Sequence, residues 1–319
     1  MEDLLAALRA AAEPTRLRLL ALAARGAFCV TELCEILGQS QPRLSRHLKL
    51  MTDAGLLERI PEGANVWYAL PTGAGGGLAR DLAARLPADD PLLAADRREA
   101  ARVVAERARA ASESFRKQGA DWDEMRALDL PAQAVESSLL AHLPASGLGR
   151  LVDIGTGTGR LLELLAPRVD SGIGIDASKA MLALARARLA REGLSHCSVR
   201  QADMYRLPLA DASCDLAVMQ MVLHYAEDPD GAIAEAVRVL RPGGRLLVID
   251  LLAHKRHEIV QRFAHRWPGF GRDAMERMLA ANGMRPSAML TIKAALPVAI
   301  WPSQRTASAT TKRVAELAV

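Results

Sequence analysis

Leu151-Val152-Asp153-Ile154 runs into three glycines at alternate positions, Gly155, Gly157 and Gly159, and these run into Leu161-Leu162 and Leu164-Leu165. A short apolar run, a glycine turn and a leucine-periodic segment spell strand, tight turn and helix. Glycine is needed where a backbone turns sharply or lies flat against a ligand. In an open α/β sheet such a turn sits at the carboxyl ends of the strands, where nucleotides bind. A second apolar run, Ile173-Gly174-Ile175, ends in Asp176, about twenty residues beyond Gly155, an offset that suits an acid accepting from ribose hydroxyls. The expectation is a parallel, doubly wound sheet with a nucleoside site at this turn.

The chain of 319 residues has room for two domains, and half its residues are hydrophobic. Its formal net charge is +4 and its aromatic content 3%. That charge permits local contact with nucleic acid, and the scarcity of rings argues against a single-strand stacking platform. Four cysteines, Cys29, Cys34, Cys197 and Cys214, form no C-x-x-C pair, a usage that fits reduced thiols in a cytoplasm. The first residues show no signal-peptide layout and no run is long enough to span a membrane, so a cytoplasmic protein is expected.

Before the glycine turn the pattern is helical. Thr31 and Ser40 are candidate caps for two short helices separated by Gly38. The second has an apolar stripe of Leu44, Leu48 and Met51 with Leu50 beside it, and a polar face of Gln41, Arg43, Ser45, Arg46, His47 and Lys49. Two short helices joined tightly, the second basic at its start, form a helix-turn-helix whose second helix enters a major groove. Arginine and glutamine there suit base edges, serine and lysine suit phosphates. A charged helix face alone is more often merely solvated. The hairpin pattern that follows, Leu56–Ile60, Pro61-Glu62-Gly63, then Asn65–Leu70, adds a wing.

The run TELCEILGQSQPRLSRHLKLMTDAGLLERIPEGANVWYAL resembles the winged helix of the ArsR/SmtB family of bacterial repressors. That resemblance implies a homodimer on operator DNA, with Ser40, Gln41, Arg43, Ser45, Arg46, His47 and Lys49 reading it. Arsenic-sensing members carry C-V-C where this chain has Cys29-Val30-Thr31, so no metal site is expected.

Beyond Pro87–Pro91 comes a long Arg- and Ala-rich helical stretch, then Phe115, Trp122 and Met125 around a W-D segment. The G-x-G-x-G spacing, with Asp153 inside the first strand, resembles class I S-adenosylmethionine-dependent methyltransferases. Later stretches agree, notably Leu240-Arg241-Pro242-Gly243-Gly244-Arg245-Leu246. The resemblance implies a cofactor, S-adenosylmethionine or S-adenosylhomocysteine, held by Asp153, Gly155, Gly157, Gly159, Asp176, Ser178, Met181, Asp203, Met204 and Gln220. In such proteins the W-D segment helps to cover the cofactor. His224, with Tyr225 beside it, is the candidate general base at the methyl-facing strand end; lining the pocket or holding the loop is its plainer role.

The expected parts are an ArsR-type winged helix over 1–87, a linker and helical lid over 88–125, a class I methyltransferase domain over 126–301 and a loose tail over 302–319. Regulators with this two-domain plan respond to S-adenosylhomocysteine and control methionine-cycle genes, which this chain resembles. The favoured reading is a transcriptional regulator whose methyltransferase-like domain senses S-adenosylmethionine or S-adenosylhomocysteine. The alternative is an active methyltransferase toward a small-molecule acceptor, with a fused DNA-binding domain.

Overall fold

The computed structural model describes residues 1–62, 65–71, 76–117, 130–263 and 265–306; at 108, 111–117 and 262 it describes the backbone alone. The chain divides into two compact units. The first comprises Met1–Gln118, Gly157–Ala166 and Ser178–Gln201; the second comprises Gly119–Thr156, Pro167–Ala177 and Ala202–Val319.

In the first unit, α1 (Glu2–Ala11) and α2 (Pro14–Ala23) precede a two-residue strand β1 (Phe28–Cys29), α3 (Val30–Leu37) and α4 (Gln41–Asp53). Gly38 takes a left-handed φ of +63° and stops α3, so the chain can turn into α4 within three residues. α3 starts two residues earlier than a Thr31 cap would place it. Cys29 is its N-cap, and the Glu32 side chain accepts from the Cys29 N–H at 2.9 Å. Ser40 does precede α4, but its hydroxyl makes no capping bond.

The hairpin β2 (Glu58–Glu62) and β3 (Asn65–Ala69) pairs antiparallel, and β1 adds to the free edge of β3. This is the expected wing. Leu19, Leu20, Leu33, Ile36, Leu44, Leu48 and Met51 close the core beneath the helices. Leu50 is not part of it: at 51% exposure it stands with the charged face.

α5 (Gly77–Ala84) is followed by α6 (Pro91–Lys117). The boundary expected at residues 87–88 does not separate the two units, because α6 belongs to the winged-helix core. Ala100 and Val103 join the same buried cluster as Leu19 and Leu44. Arg18 of α2 donates to Asp96 of α6 at 2.7 Å, with Asp96 buried. The W-D segment, with Trp122 and Met125, lies outside the described residues, as does the Phe115 side chain.

The second unit contains α7 (Ala132–His142), β4 (Arg150–Ile154), β5 (Ser171–Asp176), β7 (Cys214–Gln220), α10 (Pro229–Val239) and β8 (Leu240–Leu251). It continues through α11 (His257–Arg262), α12 (Arg272–Ala281), β9 (Met284–Pro286), β10 (Leu290–Ile292) and β11 (Val298–Arg305). The remaining helices α8 (Arg160–Leu165) and α9 (Lys179–Arg191), and strand β6 (Cys197–Gln201), fall in the first unit.

The sheet runs β6-β5-β4-β7-β8-β11-β10, with β9 beside β11. Strands β5, β4, β7 and β8 are parallel and β11 is antiparallel to β8. Alternating strands and helices with a reversal of order at β4 make the doubly wound α/β fold expected from the sequence. The parallel strands carry apolar runs, as strands buried on both faces do; Val152, Ile154, Ile173, Ala217, Met219 and Val248 are each at most 2% exposed.

One expectation at the end of the chain is corrected: the tail does not begin at 302. Pro302 pairs with Leu247 inside β11, and its carbonyl accepts from the Ser287 N–H at 2.8 Å. Residues 307–319 lie outside the described residues.

Candidate functional site

Strand register brings the first site residues together. Ile154 pairs with Ile175 on one side and Met219 on the other. The next residues, Gly155, Asp176 and Gln220, therefore end three adjacent parallel strands at one level. The Gly155 and Thr156 N–H groups both donate to the Ile175 carbonyl, at 2.8 and 2.9 Å, folding the turn back over β5. This close approach explains Gly174: a Cβ there would lie 2.6 Å from Thr156 Oγ1. Gly155 has φ +75°, and a Cβ on it would meet Val222 at 2.5 Å.

Gly157 and Gly159 continue into the first unit, also at positive φ, +52° and +73°. The two differ in what surrounds them. A Cβ on Gly159 would press on Ala185 Cβ at 3.2 Å, whereas one on Gly157 meets nothing within 4 Å. Gly159 is thus a packing glycine, and Gly157 leaves bare backbone beside open space. Bare backbone of that kind is what a nucleoside laid against the turn requires.

Asp153 does not stand on the ligand face. It is 1% exposed and accepts from the Thr156 hydroxyl at 2.6 Å. Burial pushes its carboxyl up to about 7, against the Thr156 hydrogen bond and with the charge of Asp176 adding to the rise. Its place is beneath the turn, which it shapes and charges. Ser178 caps α9 and accepts from the Met181 N–H at 3.3 Å, so both residues sit in the first turn of the helix that follows Asp176. Asp203 is exposed and accepts from the Tyr205 N–H at 3.1 Å. Met204 is half-buried against the second unit's core, as plain packing would have it.

His224 follows on a single 3-10 turn, Leu223–Tyr225. It is 1% exposed. Its Nδ1 lies 2.7 Å from Asp250 Oδ1, while the Leu223 and His224 N–H groups donate to Asp250 Oδ2 at 3.0 and 3.2 Å. The His224 carbonyl accepts from the Arg266 and Trp267 N–H groups. Around the imidazole, Tyr225 and His265 pack at ring distances of 4.2 and 4.3 Å. The side chain is enclosed and tied to Asp250 through Nδ1, while its Nε2 has no hydrogen-bond partner among the described residues.

One residue that sequence reasoning did not single out is Met221. Its φ is +51°, rare for a residue with a Cβ, and its N–H donates to Ile249 at 2.8 Å. Backbone strain of this kind gathers at functional strand ends, and no side-chain pattern announces it.

On the winged helix, Ser40, Gln41, Arg43, Ser45, Arg46 and Lys49 are all exposed. Lys49 pairs with Asp53 at 2.7 Å. His47 departs from the expectation: it is half-buried, with Nδ1 3.7 Å from Glu13, the N-cap residue of α2. Its side chain is turned toward α2 and is less exposed than the other six residues of that face.

Two stretches of the chain match known families. Residues 13–59 match the model for bacterial regulatory proteins of the arsR family, and residues 152–248 match that for a methyltransferase domain. An uncharacterized 37.1 kDa protein in transposon TN4556 of Streptomyces fradiae is 43% identical over 120 residues, 37% of this chain and 34% of that protein. A malonyl-(acyl-carrier protein) O-methyltransferase of a Marinomonas species is 35% identical over 129 residues, covering 40% and 47%. A phosphatidylethanolamine N-methyltransferase of Cereibacter sphaeroides is 34% identical over 117 residues, covering 36% and 57%. The chain thus spans less than two thirds of each of these relatives. It joins an arsR-family helix-turn-helix, residues 13–59, to a methyltransferase domain, residues 152–248, in a single polypeptide.

Proposed function

We propose that the chain is a DNA-binding transcriptional regulator whose methyltransferase domain binds S-adenosylmethionine or S-adenosylhomocysteine and thereby modulates operator affinity. The observation that carries the ligand class is the register that ends three adjacent parallel strands at Gly155, Asp176 and Gln220, two residues before the open backbone of Gly157. In this reading the Gly155–Gly159 backbone cradles the nucleoside and Asp176 accepts from its ribose hydroxyls. Ser178, Met181, Asp203 and Met204 flank the base. Asp176, joined by Asp153 once the pH rises above about 7, sets a negative potential at the turn that favours a cationic amino-acid tail. When bound, S-adenosylmethionine supplies an electrophilic methyl group.

Sensing, rather than transfer, is supported by the acceptor side. A protonated acceptor needs a base within hydrogen-bond reach, and His224, the candidate, is enclosed beside Tyr225 and His265 at 1% exposure, so an acceptor would have to enter that enclosure to meet its Nε2, which has no hydrogen-bond partner among the described residues. The second reading, methyl transfer to a small molecule, draws on the named relatives, one an O- and one an N-methyltransferase.

DNA recognition is assigned to α4, with Arg43 and Arg46 exposed at its first turns. α1 presents Leu4, Leu5 and Leu8 at 50%, 43% and 41% exposure. Such a leucine stripe on an amphipathic helix is the surface we assign to a homodimer, matching a two-fold operator. No described helix is long and apolar enough to cross a membrane, and a cytoplasmic location is part of the proposal.

Titration of a labelled duplex from the DNA upstream of the protein's own coding sequence tests this, with and without each nucleoside. The reading expects one nucleoside to shift operator affinity by about fivefold or more. Unchanged affinity with both would refute it. Release of labelled methyl to an acceptor would favour the second reading.

A further inference from the structure

Helix α9 carries candidate nucleoside contacts at one end and a DNA-domain contact further along. Ser178 is its N-cap and Met181 lies in its first turn. Two turns on, Arg186 donates from Nη2 to Glu62 Oε2 of the wing strand β2. Both side chains are 4% exposed. The same guanidinium lies over Trp67 of β3, with Cζ 4.0 Å from the ring centroid.

The contact continues into the helix-turn-helix. Arg107 of α6 approaches the same indole at 5.0 Å and pairs with Glu32 of α3 at 3.1 Å. Glu32 is the residue that accepts from the Cys29 N–H at the start of α3. Two further contacts hold α9 and its following strand close. Arg200 of β6 pairs with Glu58 of β2. A Cβ on Gly26, before β1, would stand only 3.3 Å from Ala190 Cβ of α9.

A buried ion pair is a costly way to gain stability, since desolvation offsets most of the attraction and well-packed apolar residues do as well. What it does supply is one allowed position. Here two arginines share one indole and each has its own carboxylate, so the wing fits α9 in a single register. Burial pushes Arg186 below the usual arginine range, with Glu62 opposing; if α9 withdrew the guanidinium, Glu62 would be left as an unpaired acid. A helix moves as a rod, and Ser178 to Arg186 spans only about 12 Å at 1.5 Å per residue. A shift of its first turn therefore reaches the wing undamped.

We propose that Arg186, Glu62 and Trp67 form a latch through which occupancy of the nucleoside site at the start of α9 sets the wing and hence operator affinity. This rests on the regulatory reading above. It assigns the coupling to named residues that touch neither ligand.

The test uses the full-length protein, S-adenosylhomocysteine and the labelled upstream duplex. Removing one partner leaves a buried charge, so the main variant is the double substitution Glu62→Met with Arg186→Met, which removes both. Arg186→Lys is the second variant: it keeps the charge but loses the flat guanidinium over Trp67. Operator Kd is measured with and without saturating nucleoside, and nucleoside Kd is measured without DNA. The parent is expected to show an operator Kd ratio of about tenfold. The double variant is expected to bring that ratio to about one while nucleoside Kd stays within about threefold, and Arg186→Lys to give an intermediate ratio. A parental ratio in either folded variant overturns the latch and leaves the regulatory reading standing. A ratio of one in the parent overturns the regulatory reading, and the latch falls with it.

Discussion

Replacing Asp153 with Asn tests whether a charge is held beneath the glycine turn. Asp153 is 1% exposed, and its carboxyl is pushed from the ordinary 3.8 up to about 7. A folded-state value above the unfolded one means the native chain holds this proton more tightly. The contribution to stability is therefore complete below about pH 4, is lost as pH rises through about 7, and is constant above that. Between pH 6 and pH 8 the loss is about 1.4 kcal/mol, and over the whole window on the order of 4 kcal/mol. Asn keeps an acceptor for the Thr156 hydroxyl, now at 2.6 Å from the carboxylate, and cannot ionise. Urea unfolding of parent and variant at both pH values measures the difference. The parent should lose about 1.4 kcal/mol more than Asp153→Asn between pH 6 and pH 8. Equal losses would refute a buried, proton-holding Asp153. Nucleoside affinity supplies the converse readout: a cationic ligand favours the ionised carboxylate, so the parent should bind more tightly at pH 8 than at pH 6, and the variant should not.

Gly157→Arg should abolish nucleoside binding by calorimetry while costing only about 1–3 kcal/mol of stability, because a Cβ there meets nothing and only the φ of +52° is strained. Gly155→Ala should be the more destabilising of the two in urea, because its Cβ would collide with Val222; the reverse order would contradict the packing. Arg43→Ala should weaken operator binding, lower the salt dependence if the contact is to phosphate, and leave nucleoside affinity intact. Leu4→Glu with Leu8→Glu should shift the protein to monomers by light scattering; an unchanged mass would remove α1 from the dimer interface.

Much of the fold was legible because its signals are local. Gly155, Gly157 and Gly159 all adopt positive φ, as a tight strand-to-helix turn demands. The apolar runs at Leu151 and Ile173 became the parallel strands β4 and β5, and the stripe Leu44, Leu48, Met51 became the buried face of α4. The misses are contacts made at long range or by geometry alone. Arg186 and Glu62 are far apart in the chain, and nothing in either neighbourhood forecasts their meeting. His47 has the spacing of a reading residue, yet Glu13, from another helix, draws it inward. Leu50, beside the stripe in sequence, is exposed by angle, since the residues that face inward are three and four apart. The Arg- and Ala-rich composition of α6 suggested a solvated linker, and Ala100 and Val103 are enough to seat it in the winged-helix core. Asp153 has the sequence position of a ligand residue, but the hydrogen bond from Thr156 turns it under the loop.

Coupling of nucleoside binding to DNA binding within one chain must be reciprocal. Calorimetric titration of S-adenosylhomocysteine into the protein alone, and into the protein saturated with its upstream duplex, measures it directly. Two different dissociation constants are expected, whose ratio equals the factor by which the nucleoside changes operator affinity. Identical constants would contradict the coupling.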